Sequence, residues 1–338
     1  MKILFYSPLF SPSVGGVETV TELLARELAH QGHEVQVVCQ TPAGEPRPFP
    51  FPVIRRPSPW RLFQLVRRCD VCVPICISLK GVWVALLARR PLVFVHQTWY
   101  SRPDGRLALP DRLKLALTRW GANIAVSPAI AARLPPRAKK IVIPNPYDAS
   151  IFRITQPDPR PLNLIFVGRL VSDKGVDLLL AALARLGQQG LRPRLTIVGA
   201  GPEAAALERA VADLGLSEQV TFAGLQPPAA IADLLNQHAI AVVPSRWQEP
   251  FGIVALEAIA CGCVVVGSEG GGLATALGDC GLTFANGDLE GLTAALSLLL
   301  TQPHRLAPYR AAAAAHLQAH HPAAIAHRYL TVFAGVYS

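Results

Sequence analysis

The feature that most constrains this chain is a regular alternation of short apolar runs with longer segments of helical period, repeated along 338 residues. In the first half, the runs at 2–6, 34–39, 71–75, 92–96, 123–126 and 140–143 read as strands, and 16–31 reads as a helix that Gly32 would stop. In the second half, strands are expected at 163–167, 194–198, 219–222, 240–243 and 264–267. Helices are expected near 176–188, 202–214, 229–236, 252–260 and 289–300. From His304 on the chain is Ala-rich and helical, divided by Pro322. Strand and helix in alternation is the pattern of parallel α/β layers, because two parallel strands need a long crossover between them. The expected class is therefore α/β with two Rossmann-like units. Prolines at 144, 146, 157, 159 and 161 mark a stiff crossing. The expected division is a first domain over 1–148, a linker over 149–162, a second domain over 163–303, and a helical segment over 304–338 that packs back toward the first domain.

Charge is unevenly spread. Residues 1–148 hold 20 Lys and Arg against 9 Asp and Glu, a net +11, whereas the remainder holds 12 against 14, a net −2. The first half is thus suited to an anionic partner or surface. The segments Trp60 to Arg68 and Leu113 to Trp120 are basic and amphipathic. They fit helices lying on anionic lipid, and equally helices that face a core with solvated arginines. No apolar run reaches the length of a membrane span and no signal peptide is visible, so a cytoplasmic protein is expected, either free or peripheral at the inner membrane face. Seven cysteines without ligand-like spacing read as buried thiols. No nucleic-acid module is recognisable, which argues against nucleic acid as the partner.

Open parallel sheets bind ligands outside the carboxyl ends of their strands, so motifs at those ends carry most weight. After the first strand, Gly15 and Gly16 open a helix and expose backbone N–H groups, or serve only the turn geometry. After the strand at 92–96 stands His96, followed by Gln97, Thr98, Trp99 and Tyr100. A single histidine there is more often a packing residue than a ligand, but its neighbours suit sugar contact. After 163–167, Arg169 and Lys174 bracket a loop in a half that is poor in cations, and together they can neutralise a diphosphate. The alternative is ordinary surface pairing with Asp173 or Asp177. Gly199-Ala200-Gly201-Pro202 has the spacing of a dinucleotide fingerprint but stands outside the first βαβ unit of a domain, which favours a tight turn near a nucleotide.

The most informative string is Ser245-Arg246-Trp247-Gln248-Glu249-Pro250-Phe251-Gly252-Ile253-Val254-Ala255-Leu256-Glu257. Glu249 is expected in a loop and Glu257 in the second turn of the following helix. Two carboxylates then flank the free amides of a helix N-terminus at Phe251, Gly252 and Ile253, an arrangement suited to a ligand with hydroxyls at one end and an anion in the middle. With Ala258-Ile259-Ala260-Cys261-Gly262 behind it, the string resembles the Glu-x7-Glu motif of the family-4 retaining glycosyltransferases. Gly15-Gly16, Gly168-Arg169 with Lys174-Gly175, Gly199-x-Gly201-Pro202 and Gly270-Gly271-Gly272 resemble further elements of that family. Ala274 and Thr275 depart from its usual Pro-Glu, and Cys263 stands where proline is usual.

The resemblance implies the GT-B fold, two Rossmann-like domains facing each other across a cleft. It implies a retaining transferase that moves a hexose-type sugar from a nucleotide-diphosphate donor, UDP-sugar favoured, to a glycan, lipid-linked or small-molecule acceptor. It places His96 beside the donor hexose, Arg169 and Lys174 on the diphosphate, Glu249 on sugar hydroxyls and Glu257 on the ribose. Beyond the co-substrate no cofactor is expected, and no metal, since no Asp-x-Asp occurs in the chain. The rival enzymes are a nucleotide-sugar epimerase or a phosphorylase of the same fold. More remote are an NAD-dependent dehydrogenase, supported only by Gly199-x-Gly201, and a noncatalytic sugar-binding protein.

Overall fold

A computed structural model describes residues 1–13, 15–44, 47–101, 106–156 and 158–337. Val14, within the first glycine turn, and Pro157, within the proline-rich crossing, lie outside the described residues. The chain divides into two compact units, Met1–Tyr147 with His320–Ser338, and Asp148–Ala319.

The first unit begins with β1 (Lys2–Ser7), α1 (Gly16–His30), β2 (Glu34–Cys39), β3 (Val53–Arg55), α2 (Pro59–Arg68), β4 (Val71–Pro74) and α3 (Leu79–Ala88). It continues with β5 (Val93–His96), α4 (Leu109–Leu117), β6 (Ala122–Ala125), α5 (Pro128–Arg133) and β7 (Lys140–Val142). All pairings are parallel, in the order β3-β2-β1-β4 and β5-β6-β7. Isolated bridges Cys72↔Leu92 and Ile75↔Val95 join the two sheets edge to edge. β4 and β5 are buried throughout, as expected of strands covered by helices on both faces. Helix starts follow local chemistry. Ser58 accepts a hydrogen bond from the Arg61 N–H at 3.2 Å and Ser127 from the Ile130 N–H at 3.3 Å, each satisfying a donor the helix cannot.

In the second unit come β8 (Leu164–Val167), α6 (Val176–Gln188), β9 (Leu195–Val198), α7 (Ala204–Asp213), β10 (Val220–Gly224), α8 (Pro228–Asn236) and β11 (Ile240–Val243). Then follow α9 (Ile253–Ala260), β12 (Val264–Ser268), α10 (Leu273–Leu277), β13 (Gly281–Phe284), α11 (Leu289–Thr301) and α12 (Leu306–Ala319). The six strands are parallel, ordered β10-β9-β8-β11-β12-β13. Leu179, Leu180, Leu183 and Leu186 of α6 are fully buried against the sheet with Leu292, Leu296 and Leu299 of α11. The strand order reverses between β8 and β11, so the connections to β9 and to β12 run in opposite directions along the sheet and open a crevice at the carboxyl ends of these two strands.

The last helix, α13 (Pro322–Tyr337), belongs to the first unit and packs on α1 and against β5. Tyr329 and Phe333 are its buried anchors, ring to ring at 6.0 Å. Arg328 donates to the Val142 carbonyl at 2.6 Å, and His320 Nδ1 lies 3.1 Å from the Asn145 carbonyl. The stretch read as a crossing is not loose. Arg160 is buried, donates to the Cys261 and Gln156 carbonyls, and lies beside Asp158, to which Arg310 pairs at 3.0 Å.

Of the two basic amphipathic segments, α2 buries Leu62, Leu65 and Val66 and leaves Trp60 and its arginines outside. In α4 only Leu117 is buried, and Lys114 pairs with Asp111 at 2.9 Å. Among the described residues no helix is long and apolar enough to cross a membrane.

Candidate functional site

In the second unit the expected site residues gather at the β8–β11 crevice. β8 runs into the 168–175 loop and β11 into the 244–252 loop, and the two loops are laced together by backbone. The Asp173 carbonyl accepts from the Arg246 and Trp247 N–H groups at 2.9 and 3.1 Å. Gly175 makes this approach possible. Its φ is +68°, and a Cβ there would lie 2.0 Å from the Pro244 carbonyl oxygen.

Across this junction Lys174 Nζ sits 2.5 Å from Glu249 Oε1, and the same oxygen accepts from the buried Ser245 hydroxyl at 2.6 Å. Glu249 is itself buried, and its backbone bridges to Gly271, whose neighbour Gly272 donates its N–H to the Glu249 carbonyl at 2.6 Å. Glu249 Oε2 has no hydrogen-bond partner among the described residues. Asn286 closes the arrangement. Its Oδ1 accepts from the Gly270 N–H at 2.7 Å, while its Nδ2 donates to the Ser245 and Trp247 carbonyls at 3.0 and 3.1 Å. Arg169, on the turn after β8, is exposed and makes no ion pair or hydrogen bond through its side chain among the described residues. Arg246 instead pairs with Asp177 at 2.7 Å.

The helix that follows the Glu249 loop starts as the sequence leads one to expect. Gly252, at φ +99°, is the residue before α9, where a Cβ would lie 2.6 Å from Leu273 Cδ1. Ile253 is the first helical residue, so the opening amides of α9 have no carbonyl of their own helix to bond. Phe251, just before this helix, is buried. Glu257 is in the second turn of α9, half-buried. Burial first, and then the charge of Asp148, push its carboxyl up to about 7.

Gly199 and Gly201 answer to a neighbouring turn. A Cβ on Gly199 would lie 1.8 Å from the Gly168 carbonyl oxygen, and one on Gly201 would lie 2.2 Å from that of Leu170. The Leu170 N–H donates to the Ala200 carbonyl at 2.9 Å. The two glycines thus seat the turn after β9 on the turn that carries Arg169, a packing demand that by itself accounts for the glycine spacing.

In the first unit Gly15 is extended, and Gly16 is the first residue of α1. A Cβ on Gly15 would lie 2.7 Å from Glu18 Oε2, because the Glu18 carboxylate folds back over the helix start. His96, at the end of β5, is completely buried. Its Nε2 lies 2.9 Å from Asn123 Oδ1 and its Nδ1 lies 2.9 Å from the Tyr100 hydroxyl. Asn123 Nδ2 donates to the Thr118, Gly121 and Lys139 carbonyls, which fixes Oδ1 as the acceptor. The Tyr100 hydroxyl accepts from the Ile77 N–H at 3.1 Å and therefore donates to His96 Nδ1. The ring is thus neutral with its proton on Nε2, and burial lowers its pKa to about 4. This differs from an open ligand beside a sugar, because both ring nitrogens are already satisfied. Gln97, next in the chain and 6% exposed, keeps Nε2 without a partner among the described residues.

Asn286, Ser245 and Asn123 escaped the sequence reading. Ser245 stood four residues before Glu249 in the string, but nothing there specified a hydroxyl–carboxylate bond. Asn286 reads only as part of an Asn-Gly turn.

The glycosyl transferases group 1 model matches residues 148–316, and the glycosyltransferase family 4 model matches residues 14–151. Curated relatives include D-inositol 3-phosphate glycosyltransferases of Rhodococcus erythropolis, 37% identical over 171 residues (48% of this chain, 38% of that protein), and of Frankia alni, 44% identical over 154 residues (42% and 37%). A glycogen synthase of Mycobacterium tuberculosis is 37% identical over 173 residues (50% and 42%). The chain spans about two fifths of the length of these relatives. Among solved structures, Anabaena HepE in complex with UDP has a TM-score of 0.83 at 21% identity, over 99% of this chain and 100% of that one. The sucrose-phosphate synthase of Thermosynechococcus elongatus has a TM-score of 0.81 at 20% identity, over 100% and 99%. The fold is thus the GT-B type. With half of its length in one transferase model and most of the rest in the companion model, the chain belongs to the glycosyl transferases group 1, family 4.

Proposed function

We propose that this chain transfers a hexose-type sugar from a nucleotide-diphosphate donor to a hydroxyl acceptor on a glycan, a lipid-linked sugar or a small molecule, with retention at the anomeric carbon and without a metal. The observation that carries this reading is the Lys174–Glu249–Ser245 cluster at the crevice where the strand order reverses, with Arg169 exposed on the turn after β8. A UDP-sugar is the favoured donor, since the similar HepE structures hold UDP and UDP-glucose.

As the glycosidic bond breaks, negative charge develops on the leaving diphosphate. Arg169, Lys174 and the opening amides of α9 are the preorganised positive groups that stabilise it. Glu249 holds Lys174 through Oε1 and keeps Oε2 free for a sugar hydroxyl. Glu257 accepts from the ribose. Among the described residues we assign no carboxylate as a covalent nucleophile, so the acceptor oxygen attacks the face the diphosphate leaves, and its proton passes to a departing phosphate oxygen. Gly15 and Gly16 present backbone toward the acceptor side. We assign His96 to positioning, since it locks Tyr100 and the 97–100 turn through bonds that use both its nitrogens. The protein works at the cytoplasmic side of a membrane or free in the cytoplasm.

The test is transfer and donor hydrolysis with a panel of nucleotide-diphosphate sugars, comparing the wild type with Lys174→Ala and Glu249→Ala. Loss of both activities in both variants, with an α-linked donor giving an α-linked product by NMR, is the expected result. Unaltered turnover in both variants would remove the site. Product formed from the donor alone, without acceptor or hydrolysis, would favour the epimerase.

A further inference from the structure

In the first unit, α2 and α3 lie side by side and present one outward face whose residues recur at helical spacing. On α2, Trp60, Phe63 and Arg67 stand three and four residues apart and so share a stripe. On α3, Lys80, Trp83 and Leu87 do the same. Trp60 is 68% exposed and stacks on Phe63 at 5.8 Å, Trp83 is 48% exposed and Leu87 is 64% exposed. Between the helices runs an open groove of about 940 Å³, with Phe63, Trp83 and Leu87 in its walls and Arg67, Arg89 and Arg90 at its rim. Two bulky rings and a leucine left in water on adjacent helices exceed the scattered single apolar residues a monomer ordinarily shows.

The charge around this face has one sign. Arg61, Arg67, Arg68, Lys80 and Arg89 are exposed, and none forms an ion pair among the described residues. Arg67 reaches only over the Phe63 ring, at 5.9 Å. Arg90 donates to the Arg67 carbonyl from Nε and Nη2, which pins the ends of the two helices together. The sole acidic residue between 55 and 90, Asp70, is taken by the Lys2 N–H at 2.7 Å. This face thus carries a cluster of cations that no carboxylate among the described residues pairs with.

We propose that the α2–α3 face docks on an anionic phospholipid bilayer, with Trp60, Trp83 and Leu87 entering the headgroup–acyl boundary and the ring of arginines at the lipid phosphates. Rings at the interface, arginines beside them and a shallow apolar strip are complementary to such a surface. A nucleic-acid backbone would use the cations but offer Leu87 nothing, and the stacking of Trp60 on Phe63 occupies a ring face that a base would need. This surface shares no residue with the proposed sugar-transfer site, and the proposal stands independently of that site.

The experiment uses the full chain with vesicles of equal parts phosphatidylglycerol and phosphatidylcholine, and with phosphatidylcholine alone. Co-sedimentation with the anionic vesicles at low salt is expected, weakening as salt rises, with little binding to the neutral ones. Each arginine removed should weaken binding about fivefold, so Arg61→Gln, Arg67→Gln and Arg89→Gln combined should weaken it about a hundredfold. Circular dichroism and melting confirm the fold of that variant, and donor hydrolysis in solution should not change. Brominated anionic vesicles should quench tryptophan emission of the wild type, and Trp60→Phe with Trp83→Phe should abolish most of that quenching. Equal binding to neutral vesicles, undiminished binding by the triple variant, quenching unaffected by the tryptophan replacements, or duplex DNA bound in place of vesicles would each overturn the proposal.

Discussion

Lys174 and Glu249, 75 positions apart in the chain, meet at 2.5 Å with the Ser245 hydroxyl on the same carboxylate oxygen. The pair holds a cation at the mouth of the crevice while leaving the second carboxylate oxygen open. On the proposed reading, an incoming diphosphate would meet an ammonium already in position, and the carboxylate that held it would have an oxygen to offer the sugar.

Lys174→Met should lower transfer by about a hundredfold or more, the scale of losing one preorganised charge donor in a transition state. The melting temperature should move by only a few degrees, since Lys174 is partly solvated and Glu249 keeps Ser245. Single-turnover kinetics with a UDP-sugar, beside a thermal melt, checks both halves. A proportional loss of stability and rate would mean that the lysine serves the fold alone.

Glu257 and His96 should give opposite pH signatures. Burial holds the folded Glu257 carboxyl at about 7, above its unfolded range, so its contribution to stability is fully present below the unfolded pKa and is lost as pH rises toward and through 7. Burial holds folded His96 at about 4, below its unfolded value of 6.5, so its contribution is present above 6.5 and is lost as pH falls toward 4. Glu257→Gln should flatten the decline on the alkaline side, and His96→Gln the decline on the acid side. Denaturant melts at intervals between pH 4 and 8 separate the two slopes.

Asn123→Ala would leave the buried Nε2–H of His96 without an acceptor, a loss of about 1–3 kcal/mol. Tyr100→Phe removes the hydroxyl that links Ile77 to Nδ1 and should also destabilise. If His96 acts by positioning, both variants should raise KM or lower kcat without shifting the pH optimum. A shifted pH–rate profile would instead make the imidazole a proton donor or acceptor in the reaction.

Gly175→Ala should be far worse than Gly215→Ala. Both glycines have nearly the same positive φ, +68° and +67°, so the conformational penalty of about 1 kcal/mol is shared. Only at Gly175 would the new carbon meet a backbone oxygen, at 2.0 Å, whereas nothing lies within 4 Å at Gly215. Comparing their unfolding free energies isolates the loop contact. Donor affinity should fall in Gly175→Ala alone, because the 244–252 loop must move away from Lys174.

Much of the strand framework was legible from the sequence because buried strands are written as apolar runs, unbroken in Ile240–Val243 and interrupted only by Glu34 and Gln36 in Glu34–Cys39. Residues 34–39 and 240–243 coincide with β2 and β11. β3 was not legible, being three residues in a proline- and arginine-rich stretch, nor was β13, where Gly-Leu-Thr-Phe shows no run. Glu249 in a loop and Glu257 in the second turn follow from Pro250 and Gly252, which set where α9 can start. The contacts that assemble the cluster were not legible. Asn286 bonds to residues 41 and 39 positions away, and local pattern contains no record of such pairings. His96 shows a further limit. Strand alternation places it at a carboxyl edge but does not tell an inward imidazole with two internal partners from one that faces a ligand.

The return of α13 to the first unit bears on how the protein comes into being. During synthesis, the faces of α1 and β5 that receive α13 must wait until the whole second unit has left the ribosome. The nascent first half therefore carries an uncovered apolar seam for most of translation, and a fragment ending at Tyr147 should be prone to clump. Maturation of this half is thereby tied to delivery of α13.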